Sequence, residues 1–270
     1  MSEQADIAVE TDVIFAPGPR PLRWDIYRPA VKAPGSPVTL VYHGGGFRVG
    51  DRGGMAEACT AFAGHGWTAI AAEYRLLGEA PWPAPLDDTR TAVAAVHDRA
   101  EALGVDASHL TVTGYSAGAH LALIAGATMR DQVAGVAAFF PPVRMPPEQA
   151  AQMLGVSDPT GLAAISPLAQ AGSLPPTILF CGDEDSMTPA EQTLELYRAI
   201  RAAGGTADLR LYAHLVHEFV RLPGMMDLTI DGAVEFFSRT ILNKPAFDAS
   251  LQELRQWWVE ILGAQPGAAS

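Results

Sequence analysis

The chain is expected to fold as an α/β protein with a mostly parallel central sheet and helices on both faces. Three observations carry this expectation. Short apolar runs rich in β-branched and aromatic residues recur along the 270 residues. Longer stretches of helical periodicity separate them, and turn residues close each run. Alternation of this kind builds strand–helix–strand units, whose crossovers lay helices over the sheet.

The strands are expected at VTLVYHG from 38, TAIAAEYRL from 68, LTVTGYS from 110, GVAAFFP from 135, TILFCGD from 177 and ADLRLYAH from 207, all read as buried. Between the second and third, LDDTRTAVAAVHDRAEALG puts Leu86, Val93, Val96, Ala100 and Leu103 on one helical face, with Gly104 as the C-cap. Before about Pro37 the piece LRWDIYRP reads as extended and is expected to add edge strands. Residues 141–176, rich in proline, interrupt the alternation; they suit part of a substrate-facing lid or a surface connection with one short helix. The domain expectation is a catalytic unit over 1–243, with 1–36 its extended N-terminal segment, followed by an amphipathic helix and frayed tail over 244–270. In that helix Leu251, Leu254, Trp257 or Trp258 and Ile261 recur at helical spacing, for packing on the domain or for a homodimer contact.

Composition narrows the function. With 49% hydrophobic and 18% charged residues the chain reads as globular. A formal net charge of −12 argues against a nucleic-acid partner and against docking on anionic lipid. No apolar run approaches membrane-spanning length and no leader pattern opens the chain, so the expected location is the cytoplasm. Cys59 and Cys181 have no metal-ligand spacing and read as buried thiols.

Two motifs bear chemistry. In TVTGYSAGAHLALIAGA, Gly114-Tyr115-Ser116-Ala117-Gly118 fits a sharp strand-to-helix turn that exposes a nucleophilic serine. In VYHGGGF, three glycines after a strand suit close backbone approach, as N–H donation to an oxyanion requires. The donors are read as Gly45, Gly46 and Ala117. A phosphate loop fits less well, because no Gly-Lys-Ser/Thr follows.

Together with YRLLGEAPWPAPLDD, GDEDSMTP and HEF, these motifs resemble the hormone-sensitive-lipase-like and bacterial esterase branch of the α/β-hydrolases, over about Trp24 to Leu242. The resemblance implies an α/β-hydrolase fold with a small cap or none, and a serine hydrolase with a triad in the order Ser, acid, His. It aligns Asp185 as the acid in preference to Asp183 or Glu184, and His217 as the base in preference to His214. Glu218 stands where the family usually has glycine. His43 and His120 are assigned to bracing and core hydrogen bonding, and Arg75 is expected to pair with Asp88 or Asp87. Phe47, Trp82, Val143, Met187 and Phe219 are candidate substrate-pocket residues. The implied reaction is hydrolysis of a carboxylic ester with a small or medium acyl group, with no cofactor and no metal. Hydrolysis of an N-formyl arylamine, acyl transfer, elimination and a catalytically silent ligand-binding role are the alternatives.

Overall fold

A computed structural model describes residues 7–30 and 35–262. Its eight strands form one sheet in the order β1-β2-β4-β3-β5-β6-β7-β8. They are β1 (Ala8–Ala16), β2 (Leu22–Arg28), β3 (Ser36–Tyr42), β4 (Thr68–Ala72), β5 (Val105–Tyr115), β6 (Gly135–Phe139), β7 (Thr177–Gly182) and β8 (Ala207–Tyr212). From β4 through β8 all pairings are parallel. β1 and β2 run antiparallel at one end. The sheet therefore matches the expected class, with an antiparallel extension.

Two expectations about strand position are corrected. The N-terminal segment does supply an edge strand, but that strand is β1; LRWDIYRP forms β2, which lies between β1 and β4. ADLRLYAH is not a buried strand. β8 closes the far edge, where one side has no neighbour, and Leu211 is 52% exposed.

The helices are α1 (Ala56–Gly64), α2 (Ala84–Asp98), α3 (Ala100–Leu103), α4 (Ala117–Thr128), α5 (Pro147–Leu154), α6 (Pro159–Ala164), α7 (Ala190–Ala202), α8 (Met225–Phe237) and α9 (Lys244–Leu262). The stretch read as one helix breaks at Arg99 into α2 and α3, and Gly104 closes α3 at φ 68°. Leu86, Val93, Val96 and Leu103 are buried as their spacing predicts. One core joins α2, α4 and α7 to a face of the sheet; a second joins α1 and α8 to the other face. Alternate residues of each central strand feed the two cores, as the period of two demands: Val38 and Leu40 enter the first, Val41 the second.

Residues 141–176 hold the short helices α5 and α6 rather than an inserted domain. A cleft of about 400 Å³ opens there, lined by Arg144, Met145, Pro146, Pro147, Leu162, Ile165, Ser166 and Leu168. Helix α9 leaves most of its apolar face open, with Arg239 over the Phe247 ring at its start. Phe247, Leu254, Trp257, Trp258 and Ile261 remain 42–59% exposed. The tail expected to fray, 264–270, lies outside the described residues. No described helix is long and apolar enough to cross a membrane. Cys59 and Cys181 are buried free thiols; burial pushes Cys181 up to about 11.

Candidate active site

The turn from β5 into α4 places Ser116 at φ 50°, ψ −114°, a conformation that a residue with a side chain adopts only under constraint. The chain folds back so steeply that its neighbours have no room for a Cβ. At Gly114 such an atom would lie 2.1 Å from the Gly118 carbonyl oxygen. At Gly118 it would lie 2.4 Å from that of Tyr42. The two glycines are thus a packing requirement of the turn. The Ser116 N–H donates to the Phe139 carbonyl at 2.9 Å, which pins the turn to β6.

The glycine loop after β3 reaches the same point. A Cβ at Gly44 would stand 3.2 Å from Ser116 Cβ. Gly45 has φ 104°, with its Cβ direction blocked by the Val49 carbonyl oxygen at 2.1 Å, and Gly46 has φ 61°. The loop curls because the Arg48 and Val49 N–H groups both donate to the Gly45 carbonyl, at 3.0 and 3.1 Å. The N–H groups of Gly45, Gly46 and Ala117 donate to no acceptor among the described residues. The Ala117 N–H also opens α4, at the positive end of its dipole.

His43 holds the base of this loop. Its Nδ1–H donates to the Gly44 carbonyl at 2.7 Å and its ring stacks on Tyr74 at 4.5 Å. Burial lowers the His43 pKa, which favours the neutral ring. Arg75 makes a forked pair with buried Asp88, Nη2 to Oδ1 at 2.6 Å, and Asp87 turns instead to Arg90.

The acid and base come from the loops after β7 and β8, which lie against each other. A Cβ at Gly182 would meet the Leu215 carbonyl oxygen at 2.1 Å, and Glu184 N–H donates to that oxygen at 3.0 Å. Across this seam His217 Nδ1 lies 2.7 Å from Asp185 Oδ2, and His217 Nε2 lies 3.0 Å from Ser116 Oγ. A carboxylate only accepts, so Nδ1 carries the proton and Nε2 presents a lone pair to the serine hydroxyl. The Asp185 side chain is fully shielded from solvent and the His217 side chain is 11% exposed. Asp183 is elsewhere: its Oδ1 accepts the His214 N–H at 2.6 Å, while Glu184 pairs with the exposed His214 ring at 2.9 Å. That neighbouring carboxylate raises the His214 pKa. Glu218 adopts φ 58°, the backbone region for which glycine is the natural choice, and its carboxylate pairs with Arg221 at 2.7 Å.

Thr188 and Phe140 belong to this site although sequence reasoning passed over them. Asp185 Oδ1 accepts the N–H groups of Met187 and Thr188, both at 2.8 Å, and Oδ2 accepts the Thr188 hydroxyl at 2.8 Å. The spacing Asp-x-x-Thr ahead of Pro189 and a helix is a capping pattern that could have flagged Thr188. Phe140, φ 40°, packs edge-on to the His217 ring at 4.8 Å; no sequence signal marks it.

The five candidate pocket residues do not line one pocket. Phe47 is buried edge-on to Trp82 at 6.0 Å and to His120 at 5.9 Å, and Val143 joins the same core. Phe219 is buried on the opposite face against Phe140 and Tyr212. Met187 is 72% exposed. Only Trp82 is partly open beside that aromatic cluster. A smaller cleft, about 60 Å³, opens between the glycine loop and the histidine loop, bordered by Gly44, Glu57, Phe140, Glu218 and Arg221. Among the described residues no group of three or more His, Cys, Asp or Glu side chains is placed to hold a metal ion.

A family model described as BD-FAE matches residues 24–200. Esterase LipQ of Mycobacterium tuberculosis is 28% identical over 228 residues, covering 73% of this chain and 54% of LipQ. Carboxylesterase NlhH of the same species is 35% identical over 107 residues, covering 39% of this chain and 34% of NlhH. The chain thus spans about half the length of LipQ, and the NlhH match about a third of that protein. Esterase 2 of Thermogutta terrifontis, phosphoramylated by tabun, superposes with a TM-score of 0.74 at 26% identity, covering 87% of this chain and 94% of that one. The propionate-bound form of the same esterase gives 0.73 at 26% identity, covering 86% and 93%.

Proposed function

This chain belongs to the BD-FAE family, and from that premise we propose that it is a carboxylesterase-type serine hydrolase. The observation that carries the proposal is the chain of hydrogen bonds from Ser116 Oγ through His217 to Asp185, set beside three N–H groups that donate to no acceptor among the described residues.

In the proposed reaction His217 Nε2 takes the Ser116 proton as Oγ attacks the ester carbonyl carbon. The oxygen gains negative charge within reach of the Gly45, Gly46 and Ala117 N–H groups. Collapse of this intermediate expels the alcohol, which takes the proton from His217 and leaves an acyl-serine. Water, deprotonated by His217, then releases the acid and restores the hydroxyl. Asp185 stabilises the imidazolium in both halves. The residues present supply nucleophile, base and oxyanion donors, so the proposal uses neither metal nor organic cofactor.

A small or medium acyl group is favoured. Short helical pieces, α5 and α6 among them, stand where a larger cap would be inserted, and Phe47 is buried edge-on to His120 of the nucleophile helix. Bound propionate and butyrate in the Thermogutta esterase support the same size range. Trp82 is proposed to border the acyl group. The buried free thiols suit a reducing cytoplasm.

A homodimer through α9 is part of the proposal. Phe247, Leu251, Leu254, Trp258 and Ile261 follow a 4-3-4-3 spacing, the seam of a helix pair, and four of the five are exposed. The helix carries three acids against two bases, which disfavours an anionic membrane as the occupant.

The test is turnover of p-nitrophenyl esters from acetate to dodecanoate by the wild type and Ser116→Ala. Short-chain activity that vanishes in the variant supports a serine esterase. Equal activity in both proteins, or none in either, overturns the ester reading, and an N-formyl arylamine is then the substrate to try.

A further inference from the structure

We infer that Thr188 is a positioning residue that tempers the basicity of His217 through Asp185. This rests on the serine-hydrolase reading above and goes beyond it, because the triad does not include a fourth residue with a second hydroxyl.

Thr188 Oγ1 lies 2.8 Å from Asp185 Oδ2, the oxygen that also receives the His217 Nδ1–H at 2.7 Å. It lies 3.1 Å from the Phe140 carbonyl oxygen and 3.2 Å from His217 Nδ1. Thr188 is 6% exposed, so water does not compete for these contacts. A threonine hydroxyl has one proton. Of its two acceptors the carboxylate is nearer and charged, and charge-assisted bonds are the stronger ones. The proton therefore goes to Asp185 Oδ2.

The consequence is electrostatic. Oδ1 is already occupied by two backbone donors, and Oδ2 is shared between Thr188 and His217. A second donor on Oδ2 draws charge away from the oxygen that faces the imidazole. The imidazolium formed during catalysis is then held less tightly and returns its proton to the leaving group more readily.

Phe140 encloses the hydroxyl without receiving its proton. Its φ of 40° is imposed rather than intrinsic to a bulky residue. The Phe140 N–H donates to the Phe180 carbonyl at 2.6 Å, its ring abuts His217 and its own carbonyl faces Thr188 Oγ1. The end of β6, the acid loop and the histidine loop meet at this one threonine.

Other charges near His217 are accounted for. Glu218, next in sequence, is paired with Arg221. Glu57 stands across the small cleft at the start of α1. Asp183 and Glu184 are engaged with His214. Among the carboxylates of the described residues only Asp185 hydrogen-bonds the imidazole.

The test is the pH dependence of kcat/KM for p-nitrophenyl acetate between pH 5 and 9, in wild type, Thr188→Val and Thr188→Ser. Valine keeps the shape and removes the hydroxyl, and serine restores it. The acid limb of Thr188→Val is expected to move to higher pH by roughly half a unit, so that activity falls about threefold below the limb and recovers above it. KM is expected to stay within about twofold, and Thr188→Ser to follow the wild type. A loss of equal size at every pH, a limb that stays put or moves down, or a serine variant that behaves as valine overturns the inference. If Thr188→Val does not fold, Thr188→Ala is read by the same criteria. A wild type without Ser116-dependent turnover would instead remove the hydrolase reading, and the two failures are thereby told apart.

Discussion

Asp185 and His217 meet at 2.7 Å between Oδ2 and Nδ1, although 31 residues separate them in the chain. Two residues before Asp185, Asp183 turns its carboxylate to the backbone of the histidine loop. Near-identical chemistry in the run Asp183-Glu184-Asp185 is thus sorted by direction alone. Asp185→Asn is expected to lower kcat by about 10⁴, since the amide no longer holds the productive tautomer. Asp183→Asn, altering an exposed contact, is expected to change kcat/KM by less than about threefold. Steady-state kinetics on the two variants checks the assignment, and equal losses would reject it.

The glycine loop predicts a second contrast. A methyl at Gly45 would collide with the Val49 carbonyl oxygen, whereas one at Gly46 meets nothing within 4 Å. Gly45→Ala is expected to displace the loop and cost about 10²–10³ in kcat, the usual consequence of losing an oxyanion donor. Gly46→Ala keeps its space but takes on a positive-φ penalty of about 1–2 kcal/mol, seen as a lower denaturant midpoint. Loss of activity confined to Gly46→Ala would show that the loop acts differently.

Two buried histidines predict a pH-dependent stability. Burial lowers the pKa of both His43 and His120. His120 donates Nδ1–H to the Pro142 carbonyl at 3.0 Å, while its Nε2 is buried without a hydrogen-bond partner among the described residues. A histidine whose pKa is lowered by folding binds protons more readily in the unfolded chain. Stability contributed by the neutral ring is therefore present above the unfolded value of about 6.5 and is lost as pH falls below it, by at most about 1.4 kcal/mol per pH unit for each ring. Exposed His214, raised by Glu184, works weakly in the opposite sense. Urea unfolding of the wild type at pH 7.5 and 5.5 is expected to show the decline, and His120→Gln is expected to reduce it. An unchanged pH dependence in the variant would dismiss His120 as a source.

Helix α9 gives a fourth expectation. Deleting residues 244–270 removes the exposed seam of Phe247, Leu254, Trp258 and Ile261. If the seam joins two copies, light scattering should show a dimer for the full chain and a monomer for the truncated one, with esterase activity per site unchanged. An identical oligomeric state in both proteins would discard the dimer.

Much of the fold was legible because strand and helix periods differ. All six expected runs became strands, and Gly104 ended its helix as expected. What was not legible is position in the sheet. ADLRLY has the composition of a strand wherever it sits, but its exposure depends on whether a ninth strand pairs with it. Burial of β2 likewise depends on β1, whose pairing includes register shifts that no local pattern announces. The same packing divides the pocket candidates. Phe47 and Phe219 follow their motifs closely in sequence, yet the sheet separates them into opposite cores.

The sequence by itself determined the local chemistry of this protein. Gly114 and Gly118 around Ser116, the triple glycine after His43 and the acid and histidine runs after late strands are short-range patterns, and backbone sterics give each a definite local shape. Tertiary structure alone decided which members of those patterns meet. It turned Asp185 rather than Asp183 toward His217, brought Thr188 and Phe140 against the imidazole, and left α9 standing exposed. These outcomes depend on distances between segments far apart in the chain. Such distances follow from packing two cores against one sheet, and no window of neighbouring residues contains them.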